Sequence, residues 1–419
     1  MAERNLLFFI FRLHGGGAER VVSNLSMDFA DQYNIKIAVF DRIEKVYPHK
    51  GDLIRIHLPF SDTTAGNNFL KRGIRLWVLI RELRRIKRKY RIDTTISFGE
   101  PANIINALTN GTGRTVLSVR TVLSNQMRIS AQVKTLSSFI RLFYNRADEV
   151  IVPSKVAGQD LVQHFKLSPG RVKVVYNYLD RSKVDLAAEE EIEDRFLRQL
   201  FQRPILLNVG RINPAKGQWL LLEILPKIRQ KYPDWKLVII GEAEKEEDVK
   251  DRLVARAREL SLRVYDSTAD DLPVELDHDV YLLGYRANPY QFMRRSRILL
   301  FPSVFEGFPN TMLEAMQNSL PVIAADCHSG PREIMAPDSD LMTATPVREL
   351  TPYGILCPPL PSGDIGTPIP PEIVAEWTAA LLWLLQDDAL RNSIIQKGLE
   401  RVNDFNREHI LQQWHKIMG

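Results

Sequence analysis

Cysteine is nearly missing from this chain: Cys327 and Cys357 are the only two in 419 residues, and they show no metal-ligand spacing. A disulfide framework and a cysteine-ligated zinc site are thereby excluded, and a reducing cytoplasm is the expected setting. Long apolar runs are missing too. The longest candidates, Leu6 to Phe11 and Ala379 to Leu385, suit a strand and a buried helix and are too short to cross a bilayer. The start lacks a secretory pattern, because Gly15-Gly16-Gly17 and Glu19-Arg20 follow the first apolar run directly. What is present is 45% hydrophobic and 26% charged sequence, enough for two globular domains.

Charge is unevenly placed. Residues 1–175 hold 28 Lys and Arg against 14 Asp and Glu, while the remainder holds 28 against 37. The basic front half therefore points to an anionic partner. Its most basic stretch, residues 69–91, carries ten basic residues and one acid, Glu82, with Leu70, Ile74, Trp77, Ile80, Leu83 and Ile86 on one helical face. That pattern predicts an amphipathic helix packed on the sheet and touching an anionic membrane surface. No interleaved aromatics or nucleic-acid module accompany it, so nucleic acid is not an expected partner.

The most informative stretch runs from Leu299 to Met316. Ile298 to Phe301 reads as a buried strand stopped by Pro302, and Asn310 or Thr311 as the cap of a helix bearing Met312, Leu313, Met316 and Leu320. A loop between a strand end and a helix start is where open α/β sheets bind ligands, and helix-start amides favour phosphate. Glu306 and Glu314, eight residues apart, add two carboxylates suited to sugar hydroxyls, so the chemistry points to a nucleotide sugar. Upstream, a strand from Pro204 runs into Gly210-Arg211 and Lys216-Gly217, an arginine fork and a lysine point charge placed to converge on one diphosphate. Near the start, a strand, Gly15-Gly16-Gly17 and a helix from Ala18 to Ala30 form a phosphate-cradle layout that also occurs for packing alone.

Glu306-Gly307-Phe308-Pro309-Asn310 with Glu314, followed by Pro321-Val322-Ile323-Ala324 and Gly330-Pro331-Arg332-Glu333-Ile334, resembles the Glu-x7-Glu signature of family 4 retaining glycosyltransferases of the GT-B fold. The resemblance covers nearly the whole chain and implies an α/β architecture of two Rossmann-like domains facing each other across a cleft. Expected boundaries are an acceptor domain at 1–180, joined by a C-terminal helix at about 405–419, a linker at 181–203 and a donor domain at 204–404. The implied reaction transfers sugar from a nucleoside diphosphate donor, UDP being favoured, to a saccharide or polyprenyl-linked acceptor in surface-polysaccharide synthesis. No metal or other cofactor is expected, and the implied place is the inner face of the membrane.

By the same resemblance Arg211, Lys216 and Glu306 are the catalytic group, the first two on the leaving diphosphate and Glu306 on the hexose. Glu314 takes the ribose, while Gly16, Gly17, Gly284, Tyr285, Gly307, Phe308, Pro309, Asn310 and Thr311 complete the donor site. The segment Ser118-Val119-Arg120-Thr121 stands where relatives carry a His or acid, so no base is evident; Arg120 and Glu100 are the acceptor-side candidates. Asp277-His278-Asp279 and Asp338-Ser339-Asp340 match a metal-binding triplet by spacing but read as structural. Three rivals remain at this level: an epimerase of the same fold, a GDP-mannose-dependent mannosyltransferase, and a nucleotide-sugar-binding protein without turnover. The segment 244–279 receives no role; within 337–371 the core from Tyr353 to Pro359 resembles the family's last strand and the remainder a surface insertion, of no assigned role.

Overall fold

The computed structural model describes residues 4–13, 16–40, 47–57, 69–124, 131–243, 248–269, 276–361 and 363–419. They form two compact units: residues 1–177 with 408–419, and residues 178–407. Gly15 and the side chain of Leu70 lie outside the described residues.

In the first unit, β1 (Arg4–Ile10), β2 (Tyr33–Val39), β3 (Asp52–Arg55), β4 (Thr94–Phe98), β5 (Arg114–Ser118), β6 (Glu149–Val152) and β7 (Val172–Val174) pair in the order β3-β2-β1-β4-β5-β6-β7. Every pairing is parallel. Parallel sheets are covered on both faces, which is why β1 is a continuous buried apolar run from Leu6 to Ile10 and shows no alternation. The strand order reverses between β1 and β4, in register from Leu6 opposite Thr94 to Ile10 opposite Phe98.

The basic helix spans Phe69–Lys89. Leu79, Leu83 and Ile86 pack into the cluster around Leu7, Phe9 and Ala102. Ile74 and Trp77, expected to face inward, are instead 41% and 58% exposed. Length explains the difference: 21 helical residues reach ~31 Å, whereas the seven-residue β1 spans ~23 Å. The early turns of the helix have no sheet left to cover. Near its other end Lys87 is buried, and Nζ donates to Asn106 Oδ1 and Thr109 Oγ1, each at 2.9 Å. Burial, helped by the charge of Arg84, holds its ammonium down to about 7.

The helix Arg407–Met418 completes this unit. Thr94 Oγ1 donates to Met418 O at 2.9 Å, the Tyr33 hydroxyl meets His415 Nδ1 at 2.7 Å, and Trp414 stacks on Phe98.

In the second unit, β8 (Ile205–Val209), β9 (Lys236–Ile240), β10 (Val264–Asp266), β11 (Val280–Leu282), β12 (Ile298–Phe301), β13 (Val322–Ala325), β14 (Glu349–Thr351) and β15 (Gly354–Cys357) order as β10-β11-β9-β8-β12-β13-β15-β14. Only the β14–β15 pairing is antiparallel among these described strands. Here the order reverses between β8 and β12.

Residues 181–203, the helix-prone stretch expected as a linker, form two helices, Arg181–Ala188 and Arg195–Leu200, that group with the second unit. Asp180 and Asp194 cap them through the amides of Lys183 and Leu197, and Val184, Ala188, Leu197 and Leu200 are buried. The segments 244–279 and 337–371 also acquire a place, and the strand expected in the second is present as β15. The first contributes the helix Val249–Glu259 and edge strand β10, and the second supplies β14, β15 and two core residues, Leu360 and Ile365.

Candidate functional site

The reversal between β8 and β12 places two loops side by side at the carboxyl ends of neighbouring strands, the position where doubly wound sheets hold ligands. The loop after β8 carries Arg211 and Lys216, and the loop after β12 carries Glu306. Lys216 Nζ meets Glu306 Oε1 at 2.5 Å, with the two side chains 23% and 12% exposed. The ring of Phe301 lies beneath the same ammonium, 5.7 Å from its centroid. Backbone pairing fixes the loops to each other, since Val304 N donates to Ala215 O at 2.9 Å. A latch below them runs from Gln218 Nε2 to the Arg211 carbonyl at 2.9 Å, while Asn208 Nδ2 donates to Leu300 O at 2.9 Å.

Gly217 is the hinge of this arrangement. Its φ of +65° is left-handed, and a Cβ there would overlap the Pro302 carbonyl oxygen. Glycine is required so that the β8 loop can press onto the β12 loop.

The helix after Glu306 spans Asn310–Gln317. Neither Asn310 nor Thr311 is its cap; that position belongs to Pro309, which forms no side-chain cap hydrogen bond. No cap side chain therefore competes with an anion for the first-turn amides. Glu314 lies one turn in, 5% exposed, and accepts from the Tyr290 hydroxyl at 3.3 Å. So Glu306 and Glu314 share the loop–helix unit but have different protein partners.

A third loop, after β13, closes on the other side. Ser329 Oγ donates to Gly307 O at 2.9 Å, and Gly330 lets Pro309 approach at a φ of +94°. Arg332 bridges Asp326 and Glu349, Nη2 lying 2.5 Å from Asp326 Oδ2 and 2.6 Å from Glu349 Oε2. Asp326 also accepts from the Thr345 amide at 2.6 Å. Arg401 donates to the Glu333 and Ile334 carbonyls at 2.8 and 2.9 Å. Burial, with the charges of Glu306 and Asp326, pushes the Cys327 thiol up, so Cys327 forms an unreactive floor beside the Lys216–Glu306 pair.

The other expected residues fall as follows. Arg211 is exposed on the β8 loop. Gly284 follows β11 with a φ of +65°, and its carbonyl accepts from Gly241 N at 2.9 Å; Tyr285 beside it is 64% exposed. In the first unit Gly16 caps the helix Gly17–Asp28, and the carboxylate of Glu19 folds back against it. Glu100 opens the helix Glu100–Leu108 after β4, and Arg120 lies just past β5. The acidic triplets are engaged within the protein: Asp279 pairs with Arg229 at 2.8 Å, Asp277 with Arg263 at 3.2 Å, and Asp340 caps Met342 and Thr343. Among the described residues no group of three or more His, Cys, Asp or Glu could hold a metal ion.

Residues 203–351 match the family model described as glycosyl transferases group 1, and residues 15–183 match that of glycosyltransferase family 4. A Campylobacter jejuni N-acetylgalactosamine-N,N'-diacetylbacillosaminyl-diphospho-undecaprenol 4-alpha-N-acetylgalactosaminyltransferase is 30% identical over 340 residues, spanning 80% of this chain and 84% of that protein. The chain belongs to the family 4 glycosyltransferases. This family 4 glycosyltransferase is also 29% identical over 364 residues to an uncharacterized glycosyltransferase of Methanocaldococcus jannaschii, with 83% of each covered. The Anabaena protein HepE, solved with UDP and glucose, superposes with a TM-score of 0.71 over 99% of both chains at 18% identity. The two sheets are therefore the two halves of the GT-B fold, as the motif resemblance implied.

Tyr290, Phe301, Gln218, Asp326 and Arg401 escaped the sequence reading. Arg332 was visible within its motif, but its two acidic partners were not. Each of these depends on which strands, helices and loops are neighbours in space, and a single sequence carries no direct signal of that.

Proposed function

We propose that this glycosyltransferase moves a hexosyl unit, with retention at the anomeric carbon, from a UDP-sugar to a saccharide carried on a polyprenyl diphosphate. The observation that carries the donor half is the Lys216–Glu306 pair at the strand reversal of the second unit. An ammonium already held there is placed for charge developing on a diphosphate leaving group, and the amides after Pro309 add a second source of positive potential. Arg211, Lys216 and these amides would meet that charge without a metal. As the bond from the anomeric carbon to phosphate breaks, the acceptor oxygen bonds to the same face and its proton passes to the leaving phosphate oxygen. Glu306 would take hexose hydroxyls and Glu314 the ribose. UDP is favoured because HepE is described in complex with it, and a lipid diphosphate acceptor because the C. jejuni relative's name contains one.

Thermal melting against UDP, GDP, ADP and their sugars tests the donor half. A rise with UDP and its sugars alone, absent in Glu314→Ala, is the expected result; a rise with GDP alone would make the protein a GDP-sugar enzyme.

The basic helix supports a peripheral place on the inner membrane face. Ile74, Leu76 and Trp77 are exposed, Arg81 stacks over the Trp77 ring at 5.4 Å, and Arg84, Arg85 and Arg88 line the same groove. An apolar strip flanked by arginines matches an anionic interface, where each basic residue contributes about 1 kcal/mol. Exchanging Arg81, Arg84, Arg85 and Arg88 for glutamine should weaken sedimentation with phosphatidylglycerol vesicles at least tenfold. Equal binding of the parent protein to neutral vesicles would remove the electrostatic part of this reading.

A further inference from the structure

Glu314 is a buried carboxylate on the helix Asn310–Gln317. A glutamate side chain has several rotatable bonds, and freezing them only when a ligand arrives weakens binding. A carboxylate held still beforehand escapes that loss.

The Tyr290 hydroxyl donates to Glu314 Oε1 at 3.3 Å, and Tyr290 is itself buried. That separation is long for a hydroxyl–carboxylate bond, so the phenol supplies direction more than strength. The ring cannot drift, because its helix, Tyr290–Arg294, is fastened at both ends. At the start, Asn288 Oδ1 accepts from Tyr290 N at 3.0 Å, while Asn288 Nδ2 donates to Ala187 O at 2.6 Å and to Glu190 Oε2 at 2.7 Å. At the end, Arg294 meets Asp185 at 3.5 Å, and Arg295 Nη1 donates to Ala188 O at 3.2 Å.

The helix carrying Glu314 is fastened to the same support. Gln317 lies one turn beyond Glu314 on the same helical face. Its Nε2 donates to Asp185 Oδ1 at 2.8 Å and Oδ2 at 3.0 Å, and its Oε1 accepts from Arg181 Nε at 2.9 Å. Both helices therefore rest on Arg181–Ala188, with Asp185 shared between them. Three helices packed on one another set the separation of phenol and carboxylate, and groups carried on helices are held more precisely than groups on loops.

Such fixing matters most for a ligand with two neighbouring hydroxyls. A carboxylate whose plane is set can accept from both at once, and the same carboxylate rotated accepts from one. A ribose diol has that form. A phenol that merely satisfied a buried carboxylate would act on every ligand alike.

We infer that Tyr290 is a positioning residue for the nucleotide: braced through Asp185, it sets the carboxylate plane of Glu314 and so makes the protein select a ribose diol over a sugar ring without one. This rests on the assignment of Glu314 to the ribose and adds the residue that makes that contact selective.

The test measures Kd by calorimetry on the full chain for UDP and for its 2′,3′-dideoxy analogue, which lacks both hydroxyls, with the unliganded melting temperature followed for each variant. The parent should bind UDP more tightly than the analogue, because a site built for hydroxyls rejects a ligand that lacks them, and Glu314→Ala should remove that preference. Tyr290→Phe deletes one oxygen and keeps the ring. It should weaken UDP about fivefold and leave the analogue unchanged, so the preference narrows by the same factor. Gln317→Leu cuts the brace at a distance from the phenol and should narrow the preference too. Equal losses for both nucleotides in Tyr290→Phe, or an unchanged preference, overturn the positioning role while Glu314 keeps the ribose. Should Tyr290→Phe lose its melting transition, Gln317→Leu decides alone, an unchanged preference again overturning the role. A parent that binds both nucleotides equally overturns the ribose assignment and the positioning role with it, and a parent that binds neither overturns the donor reading itself.

Discussion

Replacing Lys216 by alanine should lower kcat/KM by roughly a thousandfold, the scale for removing one group that stabilises transition-state charge. The argument is geometric. Lys216 is held on two sides, by the Glu306 carboxylate at 2.5 Å and the Phe301 ring beneath it, so its ammonium is positioned before substrate arrives. Alanine removes that charge and leaves Glu306, 12% exposed, as an uncompensated carboxylate where a diphosphate must bind. Two like charges then meet, and the UDP-induced rise in melting temperature should vanish along with turnover. Lys216→Arg should recover only part of the rate, because the longer side chain and planar, delocalised guanidinium put the charge at a different point from the compact ammonium held against Glu306. Steady-state kinetics on the purified variants decide the matter. Activity within tenfold of the parent protein in Lys216→Ala would remove this residue from the chemistry.

Gly217→Ala should be a strongly damaging conservative change in the second unit. Two effects act together: a left-handed φ of +65° costs an L-residue roughly 1–2 kcal/mol, and the new methyl overlaps the Pro302 carbonyl and comes within 2.8 Å of Leu360 Cδ1. The clash is with backbone, so it cannot be relieved by rotating a side chain. A total loss of about 2–4 kcal/mol follows, seen as a fall of several degrees in melting temperature. Activity should drop as well, since the adjoining Lys216 moves with the loop. Gly73→Ala supplies the control: Gly73 sits inside the helix Phe69–Lys89 with nothing near its missing Cβ, and the change should be neutral or slightly stabilising. Equal melting temperatures for Gly217→Ala and the parent would refute the steric account.

The parts of this protein legible in its sequence are those whose chemistry is local. The buried run Ile298 to Phe301, the carboxylates at 306 and 314 and the Arg211–Lys216 spacing each declare themselves within a few residues of chain. The pairing of Lys216 with Glu306 does not, because it depends on β8 and β12 being neighbours, which brings together two residues 90 positions apart. Tyr290 was invisible for the same reason: its hydroxyl matters only because its helix lies against Glu314. Helix ends were misjudged where capping was inferred from residue type, as with Asn310 and Thr311, when Pro309 occupies the cap. The stripe of the basic helix was correct in period but wrong in what it buries, since periodicity reports a face and says nothing of where the sheet beneath it stops. The helix-forming tendency of residues 181–203 is legible too, since its residues are charged and poor in glycine, and Asp180 and Asp194 start the two helices there.

The return of residues 408–419 to the first unit has a consequence for the order in which this protein is made. Thr94, Phe98 and Tyr33 leave the ribosome early, and their partners Met418, Trp414 and His415 follow more than 300 residues later. At about 5–20 residues per second, that is an interval of roughly 15–60 s. Throughout it, the first sheet has one flank unclosed while the second unit, continuous in sequence, can finish folding. The half that is synthesised first is the half completed last.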